Sequence, residues 1–335
     1  MLRIAIPSDG ELYDSTLKFL DDSGLTVKRS SPRRYTGSIK GVDNTSVLFQ
    51  RAADIPYKVE EGSADIGITG LDRFLELGSD SGDSNVVIEA LGFGSCELVI
   101  AVPDSWIDVD SMYDLADLAF DFRENGQDLR IATKYPRLVQ NHLLTYGINY
   151  YSIVQSSGTL EAAPAMGFAD IIADISSSGN TIRENRLKTI DGGSILTSQA
   201  CIIVNERTLR EDADAIKSAR ILLELVEAYV RARNFFRITA NVSGDSPEEI
   251  SKKLATEPNV TGLKGPTISR VYDGESGNWY AVTMVVPRDI LIKTVDHIRK
   301  IGGGSLTVSQ ENYVFEQEST SYTVLLNSVS KSSML

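Results

Sequence analysis

Short apolar segments alternate with amphipathic ones along the first part of the chain. Residues 2–7 are nearly all apolar and predict a buried strand, and the leucine spacing over 11–20 predicts a helix directly after it. The same order recurs at 65–69, which predicts a strand, and 71–77, which predicts a helix. Strands that alternate with helices in this way are typical of α/β layers.

A second series of strands and helices follows the first. Residues 129–133 and 171–175 predict strands, and 136–146 predicts a helix with Pro136 in its first turn. The apolar segment 198–205 predicts a strand that crosses back to the first series, and 206–233 predicts one long helix. Two α/β lobes joined by return crossings are similar to the architecture of periplasmic binding proteins.

The pattern changes after residue 235. Successive segments predict strand, helix, strand, strand, helix and strand, at 236–242, 247–255, 266–272, 279–286, 288–301 and 305–315. This β-α-β-β-α-β order is the ferredoxin-like pattern. The tail from residue 316 is rich in serine, and its composition leaves open whether 322–326 adds an edge strand.

These changes of pattern predict three domains. The first lobe is discontinuous and comprises 1–97 and 200–232, the second lobe comprises 98–199, and the C-terminal domain comprises 234–335. The fold class is therefore α/β, with a bilobal, periplasmic-binding-protein-like body and a C-terminal ferredoxin-like domain.

Composition narrows the classes of function. The chain has 33 Lys and Arg against 46 Asp and Glu, a net charge of −13, so its average surface repels nucleic acid and anionic membranes. Two cysteines exclude a disulfide framework, and two histidines exclude His-rich metal centres and most Ser-His-Asp sites. No apolar run approaches the ~18 residues of a membrane span, and the first residues lack the apolar core of a signal peptide. We expect a cytoplasmic protein that holds any anionic ligand by local geometry.

The most informative chemistry lies where the strand 171–175 leads into the polar run 176–181 and then into a helix. Backbone N–H groups, hydroxyls and a helix N-terminus bind a phosphate without a basic side chain. Asp174, at the end of the strand, could accept hydrogen bonds from the hydroxyls of a ribose. A solvated turn with a helix cap has the same composition, so spacing alone leaves both interpretations open.

The run 158–181, GTLEAAPAMGFADIIADISSSGNT, resembles the phosphoribosyl-diphosphate-binding signature of the ATP phosphoribosyltransferase family. Further segments resemble family motifs in the family's order: Arg51 with 54–56, then 64–70, 92–96 and 131–136. The C-terminal β-α-β-β-α-β segment is similar to the regulatory domain of the family's long form.

The resemblance implies an enzyme that opens histidine biosynthesis. Its active site would lie between the lobes, where N1 of ATP attacks the anomeric carbon of phosphoribosyl diphosphate and displaces diphosphate. Because N1 carries no proton to remove, catalysis would depend on alignment and on neutralising the leaving group. Histidine as a feedback inhibitor and a homo-oligomer, either a dimer or a hexamer, are implied as well.

The resemblance also supplies candidate residues, motif by motif. The candidate catalytic residues are Asp174, Glu161 and Arg51; phosphoribosyl diphosphate is expected at Asp174, Ser176, Ser177, Ser178, Gly179, Asn180 and Thr181; ATP is expected at Arg51, Asp72, Lys134 and Tyr135. The implied cofactor is Mg²⁺, carried by the diphosphate near Glu161 or Asp174.

The chain departs from the family in two places. After the first strand the family usually has a basic residue, whereas this chain has Asp9 and Glu11, so Arg33, Arg34 or the magnesium ion would supply the positive charge. Near the C-terminus, 302–308 resembles the family and 309–315 does not.

Other interpretations remain open from the sequence. The chain could be a bilobal solute-binding or sensor protein, because a fold alone does not imply catalysis, or a catalytically impaired relative with a regulatory role. His142 is expected to be a half-buried structural residue, and Cys96 and Cys201 are expected to be small core residues. Arg51 could form a surface salt bridge instead of binding a substrate.

Overall fold

The computed structural model describes residues 1–31, 33–78, 82–155, 160–177, 179–257, 260, 262–272 and 278–331. These residues form two compact units. The first contains 1–21, 26–220 and the residues described from 324 onward, and the second contains 22–25 and 221–323. The division between the units thus falls at residue 220, inside a helix, and the domain limits expected from the sequence stay a prediction.

Strands and helices are numbered in chain order. The strands are β1 (Leu2–Pro7), β2 (Val27–Lys28), β3 (Thr36–Ile39), β4 (Thr45–Gln50), β5 (Ile66–Gly70), β6 (Ser84–Ile88), β7 (Cys96–Pro103), β8 (Leu129–Thr133), β9 (Tyr151–Gln155), β10 (Ile171–Ser176), β11 (Leu187–Ser198), β12 (Ala200–Asn205), β13 (Phe235–Ser243), β14 (Thr267–Arg270), β15 (Trp279–Pro287) and β16 (Gly303–Gln310). The helices are α1 (Glu11–Asp22), α2 (Ile55–Glu60), α3 (Leu71–Leu77), α4 (Met112–Glu124), α5 (Pro136–Thr145), α6 (Asn180–Glu184), α7 (Glu206–Glu211), α8 (Ala213–Ala232), α9 (Pro247–Leu254), α10 (Leu291–Lys300) and α11 (Thr320–Lys331).

A seven-stranded sheet with α1, α2 and α3 forms the first lobe, in the strand order β2-β3-β4-β1-β5-β12-β6. The central strands β4, β1 and β5 are parallel, so their carboxyl ends lie at one edge. Strand β12 is antiparallel to β5 and fully buried, which confirms the predicted return crossing. Gly67 on β5 allows close packing, because an added Cβ would lie 2.7 Å from Ile55 and 2.8 Å from Val59.

A five-stranded sheet with α4, α5 and α6 forms the second lobe, in the order β11-β7-β10-β8-β9. Strands β8, β9 and β10 are parallel, and β7 is antiparallel to β10. The apolar side chains of one sheet face form a core with α4 and α5, in which Leu98, Ile131, Tyr135 and Ile171 are buried. The parallel strands bring the carboxyl ends of β8 and β10 to one edge, where the candidate site lies.

The second unit contains an antiparallel sheet of four strands in the order β14-β15-β13-β16. With its helices α9 and α10, it confirms the predicted ferredoxin-like β-α-β-β-α-β order. Alternate residues of β13 and β15, among them Ile238 and Val282, are buried against the helices, where they form a core with Ile298 of α10. The remaining alternate residues of these two strands lie on the opposite face of the sheet.

Three elements differ from the sequence prediction. The prediction of a single helix over 206–233 is wrong. Asp212 is extended, with φ −125° and ψ 96°, and separates α7 from α8. Its carboxylate accepts hydrogen bonds from the N–H groups of Asp214 and Ala215 and so begins a new helix. The strand β11 was not expected, since its sequence is polar and contains Gly192 and Gly193. The sequence also predicts a short helix over 160–166, which is wrong because only Leu160–Ala162 form a 3₁₀ turn.

The tail forms a helix, α11, and not an edge strand. Glu227 explains its start: the carboxylate accepts hydrogen bonds from the N–H groups of Thr320 and Ser321, at 3.1 Å each. The Ser319 hydroxyl donates to the same carboxylate. A carboxylate that accepts from the unpaired N–H groups of a first helical turn favours the start of a helix. Glu227 lies 92 or more residues before its partners in the sequence, so the local sequence of the tail does not indicate this helix start. No helix among the described residues is long and apolar enough to cross a membrane.

Candidate active site

A small cavity lies at the carboxyl end of β10. It has a volume of about 70 Å³, and most of its polar lining was expected from the sequence: Glu161, Asp174, Ser176, Ser177, Gly179 and Thr181. Asn180 begins α6 and accepts a hydrogen bond from Arg183. Ser178 and residues 158–159 of the family motif lie outside the described residues. The structure therefore brings most of the predicted phosphoribosyl-diphosphate residues to one place.

The loop between β10 and α6 owes its shape to Gly179. This residue has φ +71°, a conformation that glycine adopts without steric cost, and its N–H donates to Ser176 Oγ at 2.9 Å. The turn leaves the hydroxyls of Ser177 and Thr181 on exposed residues. Helix α6 is only five residues long, so the N–H groups and hydroxyls of the loop are the main anion-binding features, and the helix dipole adds little.

Asp174 lies beside Lys134 because of the register between two parallel strands. Ala173 on β10 pairs with Thr133 on β8, so the next residue of each strand meets the other. Lys134 Nζ lies 4.0 Å from Asp174 Oδ2. Burial raises the pKa of Asp174, whereas the N–H of Ile175, at 2.8 Å from Oδ1, and the charge of Lys134 lower it. The negative charge of Glu161 raises this pKa further, so a bound cation would relieve repulsion between two carboxylates.

Glu161 reaches the cavity from the 3₁₀ turn that precedes β10. Its neighbour Leu160 is fully buried in a core with Ile172 and Ile182, which anchors the turn against the sheet. The candidate carboxylates Glu161 and Asp174 therefore line the same cavity although they lie on different elements. Among the described residues, no group of three or more His, Cys, Asp or Glu side chains could hold a metal ion.

Arg51 follows β4 at the carboxyl edge of the first sheet. The residue is exposed, and no ion pair of its side chain is present among the described residues. The alternative of a surface salt bridge is therefore not supported by the described contacts. Since no described residue forms an ion pair with it, this guanidinium is a candidate to bind a phosphate oxygen.

Asp72 and Tyr135 lie in a buried junction instead of on an open surface. Tyr135 is 0% exposed and Asp72 is 5% exposed, and the tyrosine hydroxyl donates to Asp72 Oδ2 at 2.7 Å. The Ser198 hydroxyl donates to the other carboxylate oxygen at 2.7 Å. Burial raises the pKa of Tyr135, and the charge of Asp72 raises it further, so this hydroxyl remains a donor. Their predicted role in ATP binding stays a prediction.

Arg73 is a residue of this junction that sequence reasoning missed. Its guanidinium lies over the Tyr135 ring, 4.6 Å from the centroid, and its Nε lies 3.5 Å from Asp72 Oδ2. The arginine thus balances the charge of a nearly buried carboxylate. It follows Asp72 directly in the sequence, but only the fold places the tyrosine, 62 residues later in the chain, beneath it.

The acidic turn after β1 has a structural role of its own. Asp9 and Glu11 are exposed, and Glu11 is the first residue of α1. Acidic residues are favourable at a helix start because they face unpaired N–H groups. Of the cations suggested as replacements, Arg34 lines a different cavity together with Lys28 and Arg29, and Arg33 is exposed.

The remaining candidates take structural positions. The ring of His142 is partly buried, contacts Tyr146 and forms a 2.8 Å hydrogen bond with the Gly192 carbonyl. Cys201 is buried, and burial raises the pKa of the half-buried Cys96 to about 11. Burial raises the pKa of the Cys201 thiol as well and so favours the protonated form of both thiols, as expected for core residues.

Comparisons with known proteins find similar sequences over most of the chain. A family model described as ATP phosphoribosyltransferase matches residues 51–226, and one described as the HisG C-terminal domain matches 232–310. The chain is 38% identical to "ATP phosphoribosyltransferase 2, chloroplastic" of Arabidopsis thaliana over 98% of this chain and 80% of the relative. It is 33% identical to an ATP phosphoribosyltransferase of Rhodopseudomonas palustris, over 96% of each chain.

Two further comparisons cover a smaller share of this chain. An ATP phosphoribosyltransferase of Chelativorans is 44% identical over 69% of this chain and 99% of its own length. A solved structure, "ATP phosphoribosyl transferase (HisG:HisZ) complex from Thermotoga maritima", has a TM-score of 0.52 and 25% identity, over 68% of this chain and 98% of that chain. Both matches cover about two thirds of this chain.

Proposed function

Because this chain belongs to the ATP phosphoribosyltransferase family, whose reaction opens histidine biosynthesis, we propose that the cavity at the end of β10 binds phosphoribosyl diphosphate. The observation that carries this proposal is the convergence of Asp174, Glu161, two loop serines and the Gly179 turn on one cavity. The hydroxyls and N–H groups would hold the 5-phosphate, and Asp174 would accept hydrogen bonds from the ribose hydroxyls. This arrangement explains how a chain with a net charge of −13 can bind a polyanion.

The reaction needs no proton transfer at the attacking atom. The lone pair of adenine N1 forms a bond to the anomeric carbon, and the bond between that carbon and the diphosphate oxygen breaks. The diphosphate departs with the bonding electrons, so its negative charge grows in the transition state. Cations fixed near the leaving group lower the barrier, and we assign this task to Arg51 and Lys134.

The candidate residues also fit a divalent cation, which we propose to be Mg²⁺ brought by the diphosphate. Glu161 and Asp174 offer carboxylate oxygens, the ligand type that Mg²⁺ prefers. Two carboxylates leave most positions of an octahedral ion to the diphosphate and to water. Bound there, the ion would neutralise phosphate charge, and it would favour the ionised form of Asp174, whose pKa burial raises.

The four candidates for ATP binding fall into two pairs. Arg51 and Lys134 are accessible cations, and the Lys134 side chain is 33% exposed. Asp72 and Tyr135 are buried and bound to each other, so either would reach a nucleotide only after their hydrogen bond opened. We therefore propose direct phosphate contacts for Arg51 and Lys134 and keep Asp72 and Tyr135 as neighbours of the ATP site.

We further propose that the C-terminal unit binds the inhibitor histidine. A cavity of about 470 Å³ is lined in part by Arg237, Lys264, Thr267, Thr283 and Glu316. Its cations suit the carboxylate of an amino acid, and its acid suits the ammonium group. We also propose that the protein forms a homo-oligomer, either a dimer or a hexamer. Its proposed location is the cytoplasm.

Diphosphate release tests the proposed function directly. The full chain, given ATP, phosphoribosyl diphosphate and Mg²⁺, should release diphosphate, and omission of any one of the three should stop the release. A solute-binding or sensor protein would bind a ligand without turnover. An impaired relative would bind both substrates and release nothing.

A further inference from the structure

Helix α3, in the first lobe, contacts the N-terminal end of α5, in the second lobe. We call this contact the α3–α5 junction and define it by Asp72, Leu75, Glu76, Tyr135, Arg137 and Leu138. Helix α5 starts without a cap of its own, since Tyr135 at its N-cap position makes no side-chain cap hydrogen bond and Pro136 follows. Its first N–H groups therefore need acceptors from elsewhere.

Glu76 on α3 supplies those acceptors. Its Oε1 accepts from the N–H of Arg137 and its Oε2 from the N–H of Leu138, both at 2.9 Å. The residue is 8% exposed, so its charge is nearly removed from water. A carboxylate that accepts two N–H bonds at a helix N-terminus gains from the helix dipole as well as from the hydrogen bonds.

Arg137 makes the exchange reciprocal. Its guanidinium donates back to the carbonyl of Leu75, at 3.1 Å, and to that of Gly78 at the end of α3. The unpaired carbonyls of one helix and the unpaired N–H groups of the other are thus satisfied by side chains across the junction. The oppositely charged helix ends attract each other as well.

The junction fixes the segment that carries Lys134. Immediately after this lysine, Tyr135 is tied to Asp72 on α3 through its hydroxyl, at 2.7 Å. Arg137 and Leu138 are tied to Glu76 through their N–H groups. The residues that follow Lys134 are therefore held by α3 of the opposite lobe, while β8 holds those that precede it.

We propose that Glu76 is a positioning residue that fixes Lys134 for the phosphate groups of the substrates. By holding the start of α5, it keeps the backbone of Lys134 where Nζ lies 4.0 Å from Asp174 Oδ2. The inference rests on the proposed function, since it assigns Lys134 to a substrate phosphate. Small displacements of a charge that binds a phosphate are costly, because the interaction depends on short and directed contacts.

Glu76→Gln is the suitable variant. Glutamine keeps the size of the side chain but replaces one acceptor oxygen by an NH₂ donor, which would face an N–H group of α5. The matched control is Asp114→Asn: Asp114 accepts from the N–H groups of Asp110 and Ser111 at the start of α4, which lies in the same lobe as α5 and outside the junction. Both variants weaken one helix start, and only the first disturbs the segment after Lys134.

The experiment measures KM for each substrate, kcat and the thermal unfolding midpoint. Each variant of the full chain is measured by itself and in combination with Lys134→Ala. We expect Glu76→Gln to raise the KM of at least one substrate about tenfold, with a smaller change in kcat. In the Lys134→Ala background, the same substitution should change KM less than twofold. Asp114→Asn should lower the unfolding midpoint and leave KM unchanged.

Three outcomes would overturn the proposal: Glu76→Gln changes only stability, as the control does; its effect on KM multiplies with that of Lys134→Ala; or Lys134→Ala leaves KM unchanged. If Glu76→Gln does not fold, Glu76→Asp keeps the charge, shortens the side chain and takes its place in the same scheme. Diphosphate release by the unaltered chain reports on the proposed function separately, so the two failures are distinguishable.

Discussion

The hydroxyl of Tyr135 and the carboxylate of Asp72 form a buried hydrogen bond of 2.7 Å that joins the second lobe to the first. Lys134, the neighbour of this tyrosine, belongs to the candidate active site, whereas Tyr135 itself belongs to the core of its lobe. Adjacent residues of one loop thus serve the cavity and the contact between lobes. Substitutions at these positions should separate catalytic effects from effects on stability.

Tyr135→Phe removes the hydroxyl and leaves a nearly buried Asp72 oxygen with one donor fewer. We expect the free energy of unfolding to fall by about 1–3 kcal/mol, the usual cost of an unsatisfied buried polar group. Denaturant unfolding of the full chain measures this change. Tyr113→Phe is the matched control, since Tyr113 is 73% exposed and should change stability little; equal effects of both substitutions would contradict the assignment.

Asp174→Asn should lower turnover roughly a hundredfold, because a charged acceptor is lost where the ribose and the cation bind. Stability should not fall, since burial opposes the charge of this carboxylate and raises its pKa. Asp170→Asn is the control just before the same strand. Asp170 binds the backbone and guanidinium of Arg130, so its loss should reduce stability and leave turnover intact. Near-normal diphosphate release by Asp174→Asn would remove Asp174 from the substrate site.

Glu11→Arg should tighten the binding of phosphoribosyl diphosphate, because it replaces an exposed negative charge in the turn after β1 by a positive one. The gain should be larger at low salt, where screening is weaker. Titration calorimetry at two ionic strengths measures it. Asp14→Arg, one turn further along α1, controls for net charge. An unchanged affinity at both salt concentrations would mean that Glu11 does not face the substrate.

Glu227→Gln should destabilise the second unit in a pH-dependent way. Although burial raises the pKa of Glu227, the hydrogen bonds from Ser319, Ser321 and Thr320 lower it to about 2, from an ordinary value of 4.5. The carboxylate thus contributes its full stabilisation above about pH 4.5 and loses it as the pH falls through about 2. The difference in unfolding free energy between the native chain and the variant should be largest at neutral pH and shrink in acid. A difference independent of pH would contradict this account, and Glu248→Gln, at an exposed residue, should show none.

Millimolar histidine should inhibit diphosphate release by the full chain if the C-terminal cavity is its site. Thr283→Val keeps the shape of the side chain and removes a hydroxyl that lines the cavity and lies 3.2 Å from that of Thr239. We expect weaker inhibition by this variant and normal inhibition of Thr256→Val, which lies outside the cavity lining. Inhibition of all three proteins alike would place histidine elsewhere.

The sequence predicts best where apolar runs end at glycine or proline. Helix α3 has the predicted bounds, and α5 begins at the predicted Pro136, because Gly70 and Pro136 mark the starts of helices after buried strands. The apolar run of β10 ends in polar residues, and its carboxyl end stays the predicted site. Local composition therefore locates elements and the candidate phosphate loop.

Local sequence patterns do not predict hydrogen bonds or strand pairing between residues that are distant in the sequence. Glu76 occupies an ordinary position of an amphipathic helix, and its partners Arg137 and Leu138 come 61 and 62 residues later. Asp212 resembles any surface aspartate until the fold shows that it caps α8. Strand β11 lacks a continuous apolar run, and only its pairing with β7, with two register shifts, makes it a strand.

The position of β12 in the first sheet has a consequence for the order in which the protein assembles during synthesis. This strand lies between β5 and β6, and among the described strands it is the sheet neighbour of β6. It ends at residue 205, after the entire second lobe, whose sheet comes from the single stretch 96–198. During translation, the sheet of the second lobe can thus form before β12 has been synthesised and can pair with β6. A nascent chain stopped just before residue 200 would contain all five strands of the second sheet, whereas the first sheet would lack β12.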